Sequence, residues 1–599
     1  MRQLTAENWY WIIGFLILAF GFSLYHARRS SQSIEDYFAA GRNAPWWLLG
    51  TSIVATTFAS DTPLVVAGLV MTKGIAGNWI WWAVLPSGML GVFFFASMWR
   101  RSGCLTQAEL ATLRYGGKRA KILRLFNVIY HGVVRNAAGL GFVNLAMAKI
   151  ITFCTDIGHW EALTACFFLT TLYTVLGGIR GVMWTDLVQF GLALGSSVAL
   201  AYFAVQQVGG LDQLSNLCRS GWLWPMDAKV IDETIAVNGD YIPAVQSGNW
   251  YSFLIFITIY WSCCTPTDCH GYAVQRLLCA RDERHAIWGY LWYNAAHYVV
   301  RPWPWILVGL VAVMVNDSDF DPGVAGQFDP EHAYVQVLMD AAPAWLIGPA
   351  LAGLLAAYMS TIDTHLNWGA SYLINDLYKP YVRPSEHARH YVTMSRTAVV
   401  IIALLGMGAT LLMDSITQGW GLVFGLFSGM GVVGILRWLW WRTTAWTEIG
   451  CMSCAGLATW GVHSFLHYEA PFSFLITVPC ALVGAAIGTW AFAPESDSVL
   501  QAFCDKVDPP GPGWRAFRRK TAGLGTQARS TLWISTICWI ASTIAVFLLL
   551  FGVGDVLIKD PLRGAILILM AIILAGWVGW MQRPASDAVD PRASRVTPE

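Results

Sequence analysis

The chain has 599 residues, 56% of them hydrophobic and only 13% charged, with 32 tryptophans and a formal net charge of +1. A soluble globular chain is about a quarter charged, whereas here apolar runs of about 18 or more residues recur along the whole length, the signature of a polytopic helical membrane protein. The balanced charge offers nothing to a nucleic acid, and the 13 cysteines are scattered; the single C-x-x-C, Cys451 to Cys454, has no second pair and is expected to serve packing, not metal binding.

Fifteen candidate spans follow in chain order: 9–26, 46–70, 77–99, 123–152, 160–179, 183–205, 250–275, 287–315, 344–373, 393–414, 419–441, 446–466, 470–493, 531–553 and 561–581. The first, "WYWIIGFLILAFGFSLYH", has no small-residue cleavage site and is expected to be a retained helix, not a signal peptide. Orientation follows from lysine and arginine. With the N-terminus outside, and with the residues at span ends counted with the side they adjoin, 28 of the 38 Lys and Arg are cytoplasmic and 6 outside; Arg135, Lys149, Arg301 and Arg396 lie deeper within spans. The loop 316–343, placed outside, carries six acidic residues and no Lys or Arg. The expectation is an inner-membrane protein with its N-terminus outside and its C-terminus in the cytoplasm.

The longest loops, 206–249 outside and 494–530 inside, are too short to fold alone. The second contains "PPGPG" and has linker character. The expected organisation is an extra helix and loop (1–45), a transport core (46–441), additional helices (442–493), a cytoplasmic linker (494–530) and two last helices with a short tail (531–599).

Two spans are interrupted at their centres. The second, "SIVATTFASDTPLVVAGL", holds Thr57, Ser60, Asp61, Thr62 and Pro63; the seventh, "IYWSCCTPTDCHGYAVQR", holds Thr265, Pro266, Thr267, Asp268 and Gly271. Proline removes a backbone donor and clashes with the preceding turn. Unpaired backbone survives in a bilayer only where it lines a cavity or is buried in protein. The interrupted spans lie five apart and run in opposite directions, the pattern of an inverted five-plus-five repeat whose broken helices build a midplane site.

The ninth span opens apolar and then places a polar stripe in "AAYMSTIDTHLN" (356–367). Ser360, Asp363, Thr364 and Asn367 share one helical face, with Thr361 and His365 beside them. A carboxylate facing lipid is costly, so the stripe must face the bundle or water. Its hydroxyls, with carbonyls freed at an unwound helix, would make the oxygen cage a hard cation requires. An interhelical hydrogen-bond network that only joins helices is the alternative.

"EDYFAAGRNAPWWLLGTSIVATTFAS" (35–60), "GGIRGVMWTDLVQ" (177–189), "GYAVQRLLCARDERHA" (271–286) and "AAYMSTIDTHLN" resemble the sodium:solute symporter family, in that family's motif order and over roughly residues 9–490. The last two spans are similar to an extension of some bacterial members. The resemblance implies an all-α leucine-transporter-type inverted repeat with alternating access, and sodium ion as the coupling cofactor. It implies a main sodium site at the carbonyls of Ala55, Phe58 and Ala357 and the hydroxyls of Ser360 and Thr361. A second sodium site, as some members have, would use Asp186, Ser360, Asp363 and Thr364. Asp186 follows Trp184 near the end of its span, and a helix-capping role is its alternative.

The same resemblance places the solute between the first broken helix, span 123–152, the second broken helix and span 287–315. The expected solute contacts are Thr57, Asp61, Thr62, Arg135, Trp261, Asp268 and His297. Arg135 and His297 stand where sugar-binding members carry other polar residues, and Pro266-Thr267 replaces a gating Tyr-Trp pair, so a sugar pose does not transfer. The Arg135 guanidinium suits a bidentate grip on a carboxylate, and sialic-acid members look similar there; pairing with Asp61 or Asp268 is the other reading. Arg301 is expected to be a structural partner. Gly421, Gly425 and Gly429 are expected to give close packing along one helix.

The expected function is sodium-driven uptake of a small polar organic solute, a sugar or carboxylated sugar favoured. The alternatives are symport of another small carboxylate or amino acid, or a transporter-like solute sensor. The chain is not expected to be an enzyme: "FGVGD" (551–555) contains G-x-G-D but no Tyr-Asp partner exists, and H-E-x-x-H and phosphate-loop motifs are absent. Expected partners are the solute and the bilayer, with no nucleotide or nucleic acid.

Overall fold

The computed structural model describes residues 4–30, 34–224, 235–237, 239–245, 249–264, 267–269, 271–316, 329–468, 470–521 and 528–582. The hydrocarbon core is about 30 Å thick and needs about 20 apolar helical residues to cross. Among the described residues ten helical segments meet that condition, or eleven if one bent pair counts as a span, and two shorter apolar helices accompany them. Fifteen full-length spans are therefore not reached by this measure, because several are broken.

In chain order the elements are α1 (Ala6–Ser30), α2 (Trp46–Thr56) and α3 (Asp61–Lys73). Then come α4 (Ile75–Ser102), α5 (Gly117–Cys154), α6 (His159–Gln207), α7 (Gly271–Cys279), α8 (Glu283–Val315), α9 (Ala344–Val382) and α10 (Ala388–Thr410). The remainder are α11 (Ile416–Leu426), α12 (Met430–Leu439), α13 (Ala445–Leu466), α14 (Phe474–Trp490), α15 (Ala528–Ile558) and α16 (Pro561–Met581). The expected spans 160–179 and 183–205 both lie in α6, which is interrupted at Gly178 by a left-handed φ of 57°. Among the described residues the fold is helical, with one small antiparallel ribbon in the loop after α6: Trp222 pairs with Val237 and Trp224 with Ile235.

The first expected break is present. α2 and α3 meet at 59°, and Pro63 falls in the first turn of α3, where its missing N–H costs nothing. Thr265 and Pro266 of the second break lie outside the described residues, but a helical turn ends at Cys263 and α7 begins at Gly271. Each break carries a non-glycine residue in the left-handed region, Ala59 at φ 48° and Cys269 at φ 68°. Such residues are uncommon, and strain of this kind collects at functional sites.

A third break corrects the expected glycine row. The helix stops at Leu426, Gly429 takes a φ of 76°, and α12 starts at Met430. Gly429 is thus a turn residue, where the absence of a Cβ removes the left-handed penalty. Gly425 does pack closely, against Thr459. Small residues also bring the polar-striped α9 against α6: a Cβ at Gly353 would meet Ser196 Oγ and the Ala193 backbone.

Segments assigned to one side of the membrane touch one another. Arg42 Nη2 donates to the Gly103 carbonyl at 2.8 Å and Arg119 Nη1 to the Ala493 carbonyl at 2.8 Å. On the opposite side Lys559 pairs with Asp240 at 3.1 Å. The hairpin α15–α16 is tied to the bundle by Trp539 Nε1 to the Pro86 carbonyl (2.8 Å) and by Trp303 Nε1 to the Leu550 carbonyl (2.9 Å). Asp555, the aspartate of G-x-G-D, is buried and accepts from Tyr241 Oη at 2.8 Å, so it belongs to this tie.

Candidate ion and solute site

The polar stripe of α9 faces inward. Ser360, Asp363, Thr364 and Asn367 are all fully buried. Thr361 Oγ1 donates to the Thr56 carbonyl at 2.7 Å and to the Ala357 carbonyl at 3.0 Å. The hydroxyl helix therefore touches the last turn of α2 at the break, where carbonyls lose their helical donors. Ala55, Phe58, Ala357, Ser360 and Thr361, the expected main-site residues, are all buried. Their donor set, two hydroxyls and three carbonyls in a dry place, fits a hard monovalent cation. A serine or threonine that donates its one proton keeps lone pairs for a cation.

Asp186 lies in the middle of the second half of α6 and is fully buried, so it is no helix cap. Ser360 Oγ donates to its Oδ1 at 2.6 Å and Ser52 Oγ to its Oδ2 at 2.5 Å. One carboxylate thereby joins α2, α6 and α9. Sequence reasoning missed Arg276 as a member of this group. Its Nη2 donates to Thr364 Oγ1 at 2.5 Å and lies 3.8 Å from Asp186 Oδ2, and its Nε donates to Ser52 Oγ at 3.2 Å. Thr364 Oγ1 is also 3.0 Å from Thr56 Oγ1. The signal available was an arginine inside an apolar motif, which must find an anion. Asp363 is different: it is fully buried beside Thr364, and Asp186 and Arg276 both act on its carboxylate electrostatically.

The expected solute residues fall at several places. Thr57 and His297 come together, with Thr57 Oγ1 3.1 Å from His297 Nδ1. Arg301 organises them: Nη1 donates to the Thr57 carbonyl freed at the break, and Nη2 lies 2.7 Å from His297 Nδ1. Asp61 and Thr62 are buried in the first turn of α3. Asp61 Oδ2 accepts from Trp420 Nε1 of α11 at 2.7 Å, while its Oδ1 has no hydrogen-bond partner among the described residues.

Arg135 pairs with neither expected aspartate. Asp268 is held by Arg437 and by Trp438 Nε1 (2.7 Å), both of α12, with Arg437 also reaching Glu448 at 3.3 Å. It is a structural ion pair that locks the second broken helix to α12. Trp261 packs at Trp539 of α15, ring centroids 5.9 Å apart, at the seam with the C-terminal hairpin. Arg135 instead lies over two rings, 4.6 Å from the Trp368 centroid and 4.3 Å from the Phe427 centroid. No ion pair or hydrogen bond to its guanidinium forms among the described residues. Arg135 closes the π-helical stretch Val128–Arg135, and His297 lies in another, Ala296–Val300; such wide turns recur at functional sites.

The family model described as the sodium:solute symporter family matches residues 37–453. The chain is similar to a sodium/glucose cotransporter of Vibrio parahaemolyticus, 25% identical over 458 residues, covering 72% of this chain and 80% of that protein. It is also similar to sodium/glucose cotransporter 4 of Mus musculus, 25% identical over 410 residues, 63% of this chain and 56% of the mouse protein, so it spans little more than half of that relative's length. Among solved structures it resembles a Na+-coupled sialic acid symporter in a substrate-bound, outward-open state, with a TM-score of 0.64, 17% identity, and coverage of 82% of this chain and 99% of that one. At that identity the likeness establishes the fold, the inverted repeat that the two broken helices imply. These relatives are transporters, not enzymes.

Proposed function

The chain belongs to the sodium:solute symporter family, and from that premise we propose that it couples inward sodium movement to the uptake of a small polar organic solute by alternating access. The observation that carries this is the bond from Thr361 Oγ1 to the Thr56 carbonyl, which joins the hydroxyl helix to the broken one. A cation coordinated there would draw α2 and α9 together, so its binding free energy is available to the conformation that has both helices in contact. The main site is assigned to Ala55, Phe58, Ala357, Ser360 and Thr361. With both carboxyls ionised, Asp186, Asp363 and Arg276 sum to one surplus negative charge, which a second sodium at Asp186, Ser360, Asp363 and Thr364 would balance.

The solute class rests on Arg135. A guanidinium lying over two rings, without an anionic partner among the described residues, is prepared for a planar anion. This favours a carboxylated sugar or another small carboxylate, with Thr57 and His297 as the opposing polar contacts. The chain is assigned to the cytoplasmic (inner) membrane, N-terminus outside. A solute screen by thermal shift on purified full-length protein, with and without sodium, tests the proposal. The expected result is an acidic solute whose stabilisation requires sodium; a screen in which no solute responds to sodium counts against it.

A further inference from the structure

Where the hairpin α15–α16 meets α8, the structure forms a half-open cavity of about 540 Å³. Its walls are apolar, formed by Ile287, Leu291 and Ala295 of α8, Val546 and Leu549 of α15, and Val578 of α16. α16 is buried over only 17% of its apolar window, so the cavity lies between the bundle and a helix that borders lipid. Its polar groups are few, and Arg284 and Gln582 stand at the same end. The lysine and arginine bias places that end at the cytoplasmic face.

Two observations identify what fits. The first is length. Along α8 the lining runs from Arg284 to Ala295, eleven residues at about 1.5 Å each, or about 16 Å. Half of a hydrocarbon core about 30 Å thick is about 15 Å, so the cavity extends from headgroup level to the midplane, the reach of one acyl chain. The second is charge. Arg101 and Glu283 nearby pair with each other at 3.6 Å, whereas no ion pair or hydrogen bond engages the exposed Arg284 guanidinium among the described residues. A phosphate at headgroup level meets a cation there, and basic residues at the cytoplasmic surface attract anionic lipids.

We propose that this cavity binds one anionic phospholipid, an acyl chain lying along α8 and the phosphate on Arg284, so that lipid forms part of the joint between the C-terminal hairpin and the bundle. The inference does not depend on the identity of the transported solute.

Native mass spectrometry of the full-length protein tests it, with dioleoyl phosphatidylglycerol and dioleoyl phosphatidylethanolamine titrated separately, since the two share their chains and differ in charge. The wild type is expected to retain the anionic lipid about fivefold more tightly, the worth of one basic contact. Arg284→Gln should bring that ratio to about one. Gly579→Leu provides a second arm: Gly579 lines the cavity and a Cβ there meets nothing within 4 Å, so leucine fills the space without strain. It should weaken both lipids while leaving the melting temperature without added lipid unchanged. Equal retention of the two lipids by the wild type, a preference that survives Arg284→Gln, or binding indifferent to Gly579→Leu would each overturn the proposal.

Discussion

Ser360 donates its hydroxyl proton to Asp186 across 2.6 Å, and that single bond joins the hydroxyl helix to the helix 174 positions earlier. Because the proton is committed to the carboxylate, the serine oxygen presents lone pairs, not a proton, to a cation. Thr361 does the same, its one proton shared between the Thr56 and Ala357 carbonyls.

The sodium assignment is tested by removing these oxygens singly. Ser360→Ala and Thr361→Ala should each raise the sodium concentration for half-maximal uptake about tenfold, since losing one partner in a dry site costs about 1–3 kcal/mol. Unchanged sodium dependence in both variants would exclude the main site as assigned.

Asp186 and Arg276 are tested together. Asp186→Asn leaves a buried guanidinium without its anion and weakens the bonds from Ser52 and Ser360. Breaking a buried pair costs about 3–5 kcal/mol, because a charge is left uncompensated. The melting temperature should fall clearly, and adding Arg276→Gln should recover part of the loss. Additive losses in the double variant would show that the two residues do not interact.

Arg135 separates an acidic solute from a neutral one. Arg135→Lys keeps the charge but loses the planar fork. Affinity for an acidic solute should weaken by about 1–3 kcal/mol, while sodium binding and folding survive, as calorimetry on the purified variant would record. A best solute without an acid group, bound normally by Arg135→Lys, would redirect the assignment to a neutral sugar or polyol.

Coupling stoichiometry has an electrical signature. One net positive charge crossing the membrane is worth about 2.3 kcal/mol per 100 mV. Two sodium ions with one monocarboxylate should give proteoliposome uptake that quickens under an inside-negative potential. One sodium with the same solute should ignore the potential.

The Lys149 clasp predicts acid sensitivity. Lys149 binds Asp329 at 2.8 Å and Glu331 at 2.5 Å, and Glu331 in turn accepts from the backbone N–H of Ile416 and Thr417 at the start of α11. Burial pushes the Asp329 carboxyl up, but the bond from Lys149 and the backbone outweigh it and hold it below its ordinary value. Burial lowers the neighbouring His332, more than Asp329 raises it. Both shifts make the unfolded chain bind more protons, so stability rises with pH. The histidine contribution is lost as pH falls through its unfolded value near about 6.5, and the aspartate contribution further down, from about 4 through its depressed folded value. Melting temperature should therefore drop between pH 7 and 5, and His332→Gln should flatten that part of the curve.

What the sequence determined is what local patterning encodes. The apolar runs specified membrane helices, "ASDTP" specified the first break, and the spacing of Ser360, Asp363, Thr364 and Asn367 put them on one buried face, because hydropathy and helical period act within a few turns of chain. The turn at Gly429 left a local trace in "FSGMG", but a glycine row serves close packing and a break equally well, and only the φ of 76° decided. The partners of the buried charges were decided by tertiary structure alone. Asp61 pairs with Trp420 at a separation of 359 residues, and Asp268 with Arg437 at 169. A buried charge demands a partner, and composition says so, but several residues of suitable chemistry exist for each. Which one lies within 3 Å depends on the order, tilt and register of helices far apart in the chain. That packing gave both aspartates to α11 and α12, and left Arg135 over the rings of Trp368 and Phe427.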